Sequence, residues 1–171
     1  MKRNFRYFSM VLAIIIMVSS VSVSYGRKAK NEPQVKYIFY LIGDGMGINA
    51  VSGTEIYNRY TGNGPEQVNF LHFPVRTQVN TNSASTLVTG SAAAGTALAT
   101  GLKTYTGAIG VDTDRNPVGN IAEWAKASGA GVGIATSVAI NHATPAAFYA
   151  HVSNRDSYDP ISRQLIHSDV V

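Results

Sequence analysis

Apolar and polar positions alternate between two kinds of spacing along this chain. Residues 35–47, VKYIFYLIGDGMG, form a continuous apolar run rich in β-branched and aromatic residues and stopped by Gly43, the pattern of a strand buried on both faces. Residues 48–60, INAVSGTEIYNRY, then place Ile48, Val51, Ile56 and Tyr60 at weakly helical spacing, and TGNGPEQ reads as a loop. Residues 73–81, FPVRTQVNT, predict a strand. They lead into a loop and helix built almost wholly of small residues, LVTGSAAAGTALATGLKTYTGAIGVD, residues 87–112. IAEWAKASG predicts a helix closed by Gly129, and AGVGIATSVAI, residues 130–140, predicts a second buried strand before NHATPAAFYAHVSNRDSY. Strands alternating with helices imply an α/β fold, with a mainly parallel central sheet flanked by helices. In such folds ligands gather at the carboxyl ends of strands, where Asp44 and His142 are expected.

The chain's 171 residues, 45% hydrophobic and 14% charged, suffice for one domain with a real core and exclude a disordered chain. No internal repeat or second domain is visible. The net charge of +4 suggests nucleic acid only until the basic residues are placed. Six of the 14 (Lys2, Arg3, Arg6, Arg27, Lys28 and Lys30) precede Asn31, whereas all 10 acidic residues follow it. The remainder is slightly acidic, so no nucleic-acid partner is expected. Residues 1–26, MKRNFRYFSMVLAIIIMVSSVSVSYG, have the basic start, apolar centre and small-residue end of a secretory signal peptide. A membrane anchor would need roughly 20 consecutive apolar residues, and this run softens into serines sooner. A polar linker at 27–34 and a globular segment at 35–171 complete the organisation, with a secreted or periplasmic destination. Having no cysteine, the chain would be supported by no disulfide.

Several residues carry possible chemistry. Asp44, between Gly43 and Gly45 at a strand mouth, could hold a divalent cation, or bond its own backbone as a turn aspartate. The glycines and Thr96 of GSAAAGTALATG echo a phosphate-binding loop, but Thr96 stands where that motif needs lysine, which argues against nucleotide binding. What survives is Ser91 at the start of a helix, placed either as a simple cap or where free N–H groups favour a phosphate. A serine hydroxyl needs a base or metal to attack at neutral pH, and without a GxSxG elbow a metal is the simpler activator. His142 and Thr144 could add metal ligands. Arg155 could clamp an oxyanion through two parallel hydrogen bonds, or form a surface ion pair.

Together these motifs resemble the alkaline phosphatase family, in order and across nearly all of residues 35–160. DGMG resembles its first metal-binding motif, VTGSAAAGTALATG its nucleophile helix, KTYTGAIGVD the segment that follows, and HATPAAFYAHVSNRDSY its magnesium and arginine region. The resemblance implies hydrolysis of phosphomonoesters to inorganic phosphate through a phosphoserine at Ser91, with two zinc ions and one magnesium. Asp44 would bridge a zinc and the magnesium, Thr144 and His142 would stand by the magnesium, and Arg155 would hold two phosphate oxygens. His151 would be a supporting or structural residue. The full-length protein would be a candidate homodimer.

Two departures from the family pattern matter. Gly90 stands where an aspartate usually precedes the nucleophile, which would leave Arg155 less firmly held. The family's other zinc ligands come from a longer C-terminal portion, and His167 and Asp169 lie too early to match them. The 171 residues are therefore expected to be inactive alone. The alternatives are a phosphodiesterase or sulfatase of the same superfamily, or a non-catalytic secreted module that binds an anion or a metal.

Overall fold

A computed structural model describes residues 35–168 and Val170; the signal peptide and linker predicted at 1–34 lie outside the described residues. The chain divides into two compact units, residues 1–41 and 42–171. Within the first, residues 35–41 form neither helix nor strand.

The second unit carries α1 (Ile48–Thr61), a short 3-10 turn (Asn69–His72), α2 (Ser91–Thr100), α3 (Ile121–Ala127), α4 (Ala143–Ala146) and α5 (Tyr158–His167). The helices predicted from spacing are present. Helix α3 begins with a capping box: the Asn120 side chain accepts from the N–H groups of Ala122 and Glu123, and Glu123 accepts from the Asn120 N–H in return. It ends as predicted near Gly129, which takes φ 88°. There the N–H groups of Gly129 and Ala130 bond the carbonyls of Lys126 and Ala125, a pattern that closes the last turn and needs a left-handed residue.

The strands are where the structure departs from the pattern. Among the described residues no strand forms, and pairing is limited to two antiparallel bridges, Ile109 with Val152 and Val111 with Pro117. Residues 75–81 and 130–136 form no regular element, and Val75, Val79, Val138 and Ile140 are exposed rather than buried. A helix satisfies its backbone internally, but a strand needs a neighbour to accept its N–H groups. The parallel sheet is thus unformed among the described residues.

The core lies elsewhere, between α2, α4 and α5, and is made of Ala92, Ala99, Ile109, Ala143, Ala146, Ala147, Tyr149, Ala150 and Ile161. Small residues let the helices approach closely. A Cβ on Gly95 of α2 would stand 3.1 Å from the Ala147 Cβ and 3.5 Å from the Thr144 Cα. Buried hydroxyls are satisfied locally: Thr100 donates to the Thr96 carbonyl at 2.8 Å, and Thr96 itself accepts from the Gly110 N–H at 2.9 Å. The bareness of residues 91–100 is therefore in the first place a packing requirement, which fixes α2 against the segment that carries His142 and Thr144.

Candidate active site

Ser91 is the first residue of α2. The cap position falls to Gly90, which has no side chain to offer the first-turn N–H groups. Ser91 is thus no helix cap, and its half-buried hydroxyl is free for other partners. One of them is Arg155, whose Nη1 donates to the Ser91 Oγ at 2.9 Å. The other terminal nitrogen, Nη2, lies 3.2 Å from Nε2 of His142. A guanidinium only donates, so His142 accepts there and carries its proton on Nδ1. That Nδ1 is buried and has no hydrogen-bond partner.

Asp44 sits on an exposed turn just before α1, where Gly45 takes φ 69° and lets the chain reverse. Its Oδ2 accepts from the Thr144 hydroxyl at 2.5 Å, across 100 residues of sequence. Two oxygen-bearing side chains, one a carboxylate, thus share one spot on the second unit. Ser91, Arg155 and His142 form one contact chain, and Asp44 with Thr144 forms another; His142 and Thr144 connect the two through α4.

The position of Arg155 is set by backbone as well as side chain. Residues 151–155 lie antiparallel to 107–110: Ile109 and Val152 exchange both backbone bonds at 2.9 and 2.8 Å, and the Arg155 N–H donates to the Gly107 carbonyl at 2.8 Å. His151 closes this strip. Its Nδ1 faces the Gly110 carbonyl at 2.6 Å and its Nε2 faces Glu123 Oε1 at 2.7 Å. Glu123 escaped notice in the pattern. Its spacing from Asn120 announces a capping box, yet nothing in sequence links it to a histidine 28 positions on.

No three histidine, cysteine, aspartate or glutamate side chains gather into a metal cluster among the described residues. The residues present fit one hard cation in part. The Asp44 carboxylate and Thr144 hydroxyl offer the oxygens that such an ion prefers. His142 fits less well, because its Nε2 lone pair is engaged by Arg155 and its other nitrogen is buried.

The family model for alkaline phosphatase matches residues 35–169. The chain is 39% identical over 144 residues to alkaline phosphatase 4 of Drosophila melanogaster, covering 78% of this chain and 23% of that protein. It is 35% identical over 146 residues to alkaline phosphatase 4 of Bacillus subtilis, covering 84% and 32%. Among solved structures it resembles alkaline phosphatase from the Antarctic bacterium TAB5, with a TM-score of 0.65 and 35% identity, covering 74% of this chain and 35% of that one. This chain belongs to the alkaline phosphatase family, and the described residues carry part of an alkaline-phosphatase-like fold. It spans about a quarter to a third of the length of these relatives. A variant of the TAB5 enzyme has been solved with Mg bound.

Proposed function

We propose that this chain is the nucleophile-bearing portion of an exported alkaline phosphatase that hydrolyses phosphomonoesters through a phosphoserine at Ser91. The observation that carries the reading is the 2.9 Å bond from Arg155 Nη1 to the Ser91 Oγ at an uncapped helix start. A phosphoryl group seated there meets two kinds of donor, the guanidinium and the first-turn N–H groups of α2, both suited to an anion.

These positions support a two-step reaction. The Ser91 Oγ attacks phosphorus, the P–O bond to the alcohol breaks, and the alcohol leaves with a proton. Arg155 turns its two terminal nitrogens from Ser91 and His142 to two phosphoryl oxygens, holding the group in line and offsetting charge that grows in the transition state. Water then attacks the phosphoserine, the Ser91 P–O bond breaks with a proton from that water returning to Oγ, and inorganic phosphate is released. Asp44 and Thr144 would hold magnesium at the edge of this site. When bound, the family's two zinc ions and one magnesium lower the pKa of the attacking hydroxyl and water. The zinc ligands lie outside these 171 residues in this reading, and the full-length protein works as a homodimer.

The test is hydrolysis of p-nitrophenyl phosphate by the full-length gene product with zinc and magnesium at alkaline pH. Ser91→Ala lowers turnover by roughly 10³-fold or more while the circular dichroism spectrum is unchanged, since only the nucleophile is lost. Residues 27–171 alone release no phosphate above a metal-only blank. Wild-type turnover in Ser91→Ala would contradict the reading.

A further inference from the structure

Arg155 can serve Ser91 only if the strip that carries it is held in register with α2, and one node of the fold does both. Gly110 donates its N–H to Thr96 Oγ1 on the buried face of α2 at 2.9 Å. Its carbonyl faces the His151 Nδ1 at 2.6 Å. The approach is so tight that a Cβ on Gly110 would collide with the Ala150 carbonyl and lie 2.8 Å from the His151 ring. The residue's φ of 60° independently favours glycine.

A carbonyl only accepts, so the His151 Nδ1 donates to Gly110, while Nε2 on the far side of the ring meets the Glu123 carboxylate. Glu123 is held in turn, because its second oxygen accepts from the Asn120 N–H at 3.0 Å as half of the α3 capping box. Gln164 of α5 clamps the backbone of the same histidine, accepting from the His151 N–H at 2.7 Å and donating to its carbonyl at 3.3 Å. Four residues further on, the strip delivers the Arg155 guanidinium to the Ser91 hydroxyl.

We propose that His151, held by Glu123, is a positioning residue that sets Arg155 against Ser91 through Gly110. The proposal rests on the phosphatase reading above. It differs from a merely structural role in one respect: the effect of His151 on phosphate handling passes through Arg155 and vanishes when Arg155 is gone.

The experiment is a double-variant cycle in the full-length gene product, read as inhibition of p-nitrophenyl phosphate hydrolysis by inorganic phosphate. Arg155→Ala weakens that inhibition about 10- to 100-fold, the scale of a lost charge-assisted contact. His151→Gln weakens it about 3- to 10-fold and adds nothing in the Arg155→Ala background. Glu123→Gln keeps the shape and the cap acceptor but removes the charge, and shifts inhibition in the same direction by a smaller factor. It decides the matter if His151→Gln does not fold, unchanged inhibition then overturning the proposal. Equal effects of His151→Gln with and without Arg155, or no effect at all, would also overturn it while leaving the phosphatase reading intact. Unchanged inhibition in Arg155→Ala itself would overturn that reading and the positioning role together.

Discussion

Helices α1 and α2 lie in the same unit and both contain an interior glycine, yet they are held in opposite ways. None of the 14 residues of α1 is buried, and its apolar residues Ile48, Ile56, Tyr57 and Tyr60 face outward. Helix α2 has ten residues, six of them buried, and no charge at all. The first is kept helical by its own backbone and by caps such as Gly62 at φ 69°. The second is fixed by neighbours on several sides. The nucleophile candidate sits on the helix with tertiary support, as a site requires when reacting atoms must be placed to within a fraction of an ångström.

The glycines make the comparison testable. Gly95→Val should destabilise the protein by about 1–3 kcal/mol and lower phosphatase turnover, because its side chain enters space held by Ala147 and the Thr144 backbone. Urea melts read by fluorescence would give the stability change. A next smaller effect is expected behind His142. The Tyr149 hydroxyl donates to the Ile140 carbonyl at 2.7 Å, and Tyr149→Phe should cost about 1 kcal/mol.

Burial pushes the Tyr149 hydroxyl up to about 12. The folded pKa lies above the usual value near 10. The stabilisation from the neutral phenol is therefore whole below about pH 10 and fades as pH rises toward 12, a fade absent from Tyr149→Phe. The smallest effect belongs to α1. A Cβ on Gly53 would meet nothing within 4 Å, so Gly53→Ala should stabilise by about 0.4–1 kcal/mol through the unfolded chain. A large loss there would mean that α1 packs as tightly as α2.

The same contrast explains what could be read from sequence. Helix signals are local: the spacing of Ile48 to Tyr60 and the Gly129 stop lie within a few residues of what they predict. Of the residues singled out from the motifs, the structure brings Ser91, Arg155 and His142 into contact, and Asp44 with Thr144. The strands expected in residues 35–47, 73–81 and 130–140 are unformed among the described residues, since an apolar run specifies burial without naming the partner that would supply its ladder. The link from Glu123 to His151 was invisible for a related reason: a contact across 28 residues leaves no periodicity. The bareness of α2 serves helix packing, as the close approach of Gly95 to Ala147 shows.

The central claim is that the Ser91 hydroxyl itself takes the phosphoryl group. The direct measurement is to incubate the full-length gene product with zinc, magnesium and inorganic phosphate, quench in acid, and map phosphorylation in the tryptic peptide 77–103 by fragment-ion mass spectrometry. The account predicts one phosphoryl group, on Ser91, absent from Ser91→Ala. Phosphate found instead on Ser85 or Thr89, or persisting in that variant, would contradict it.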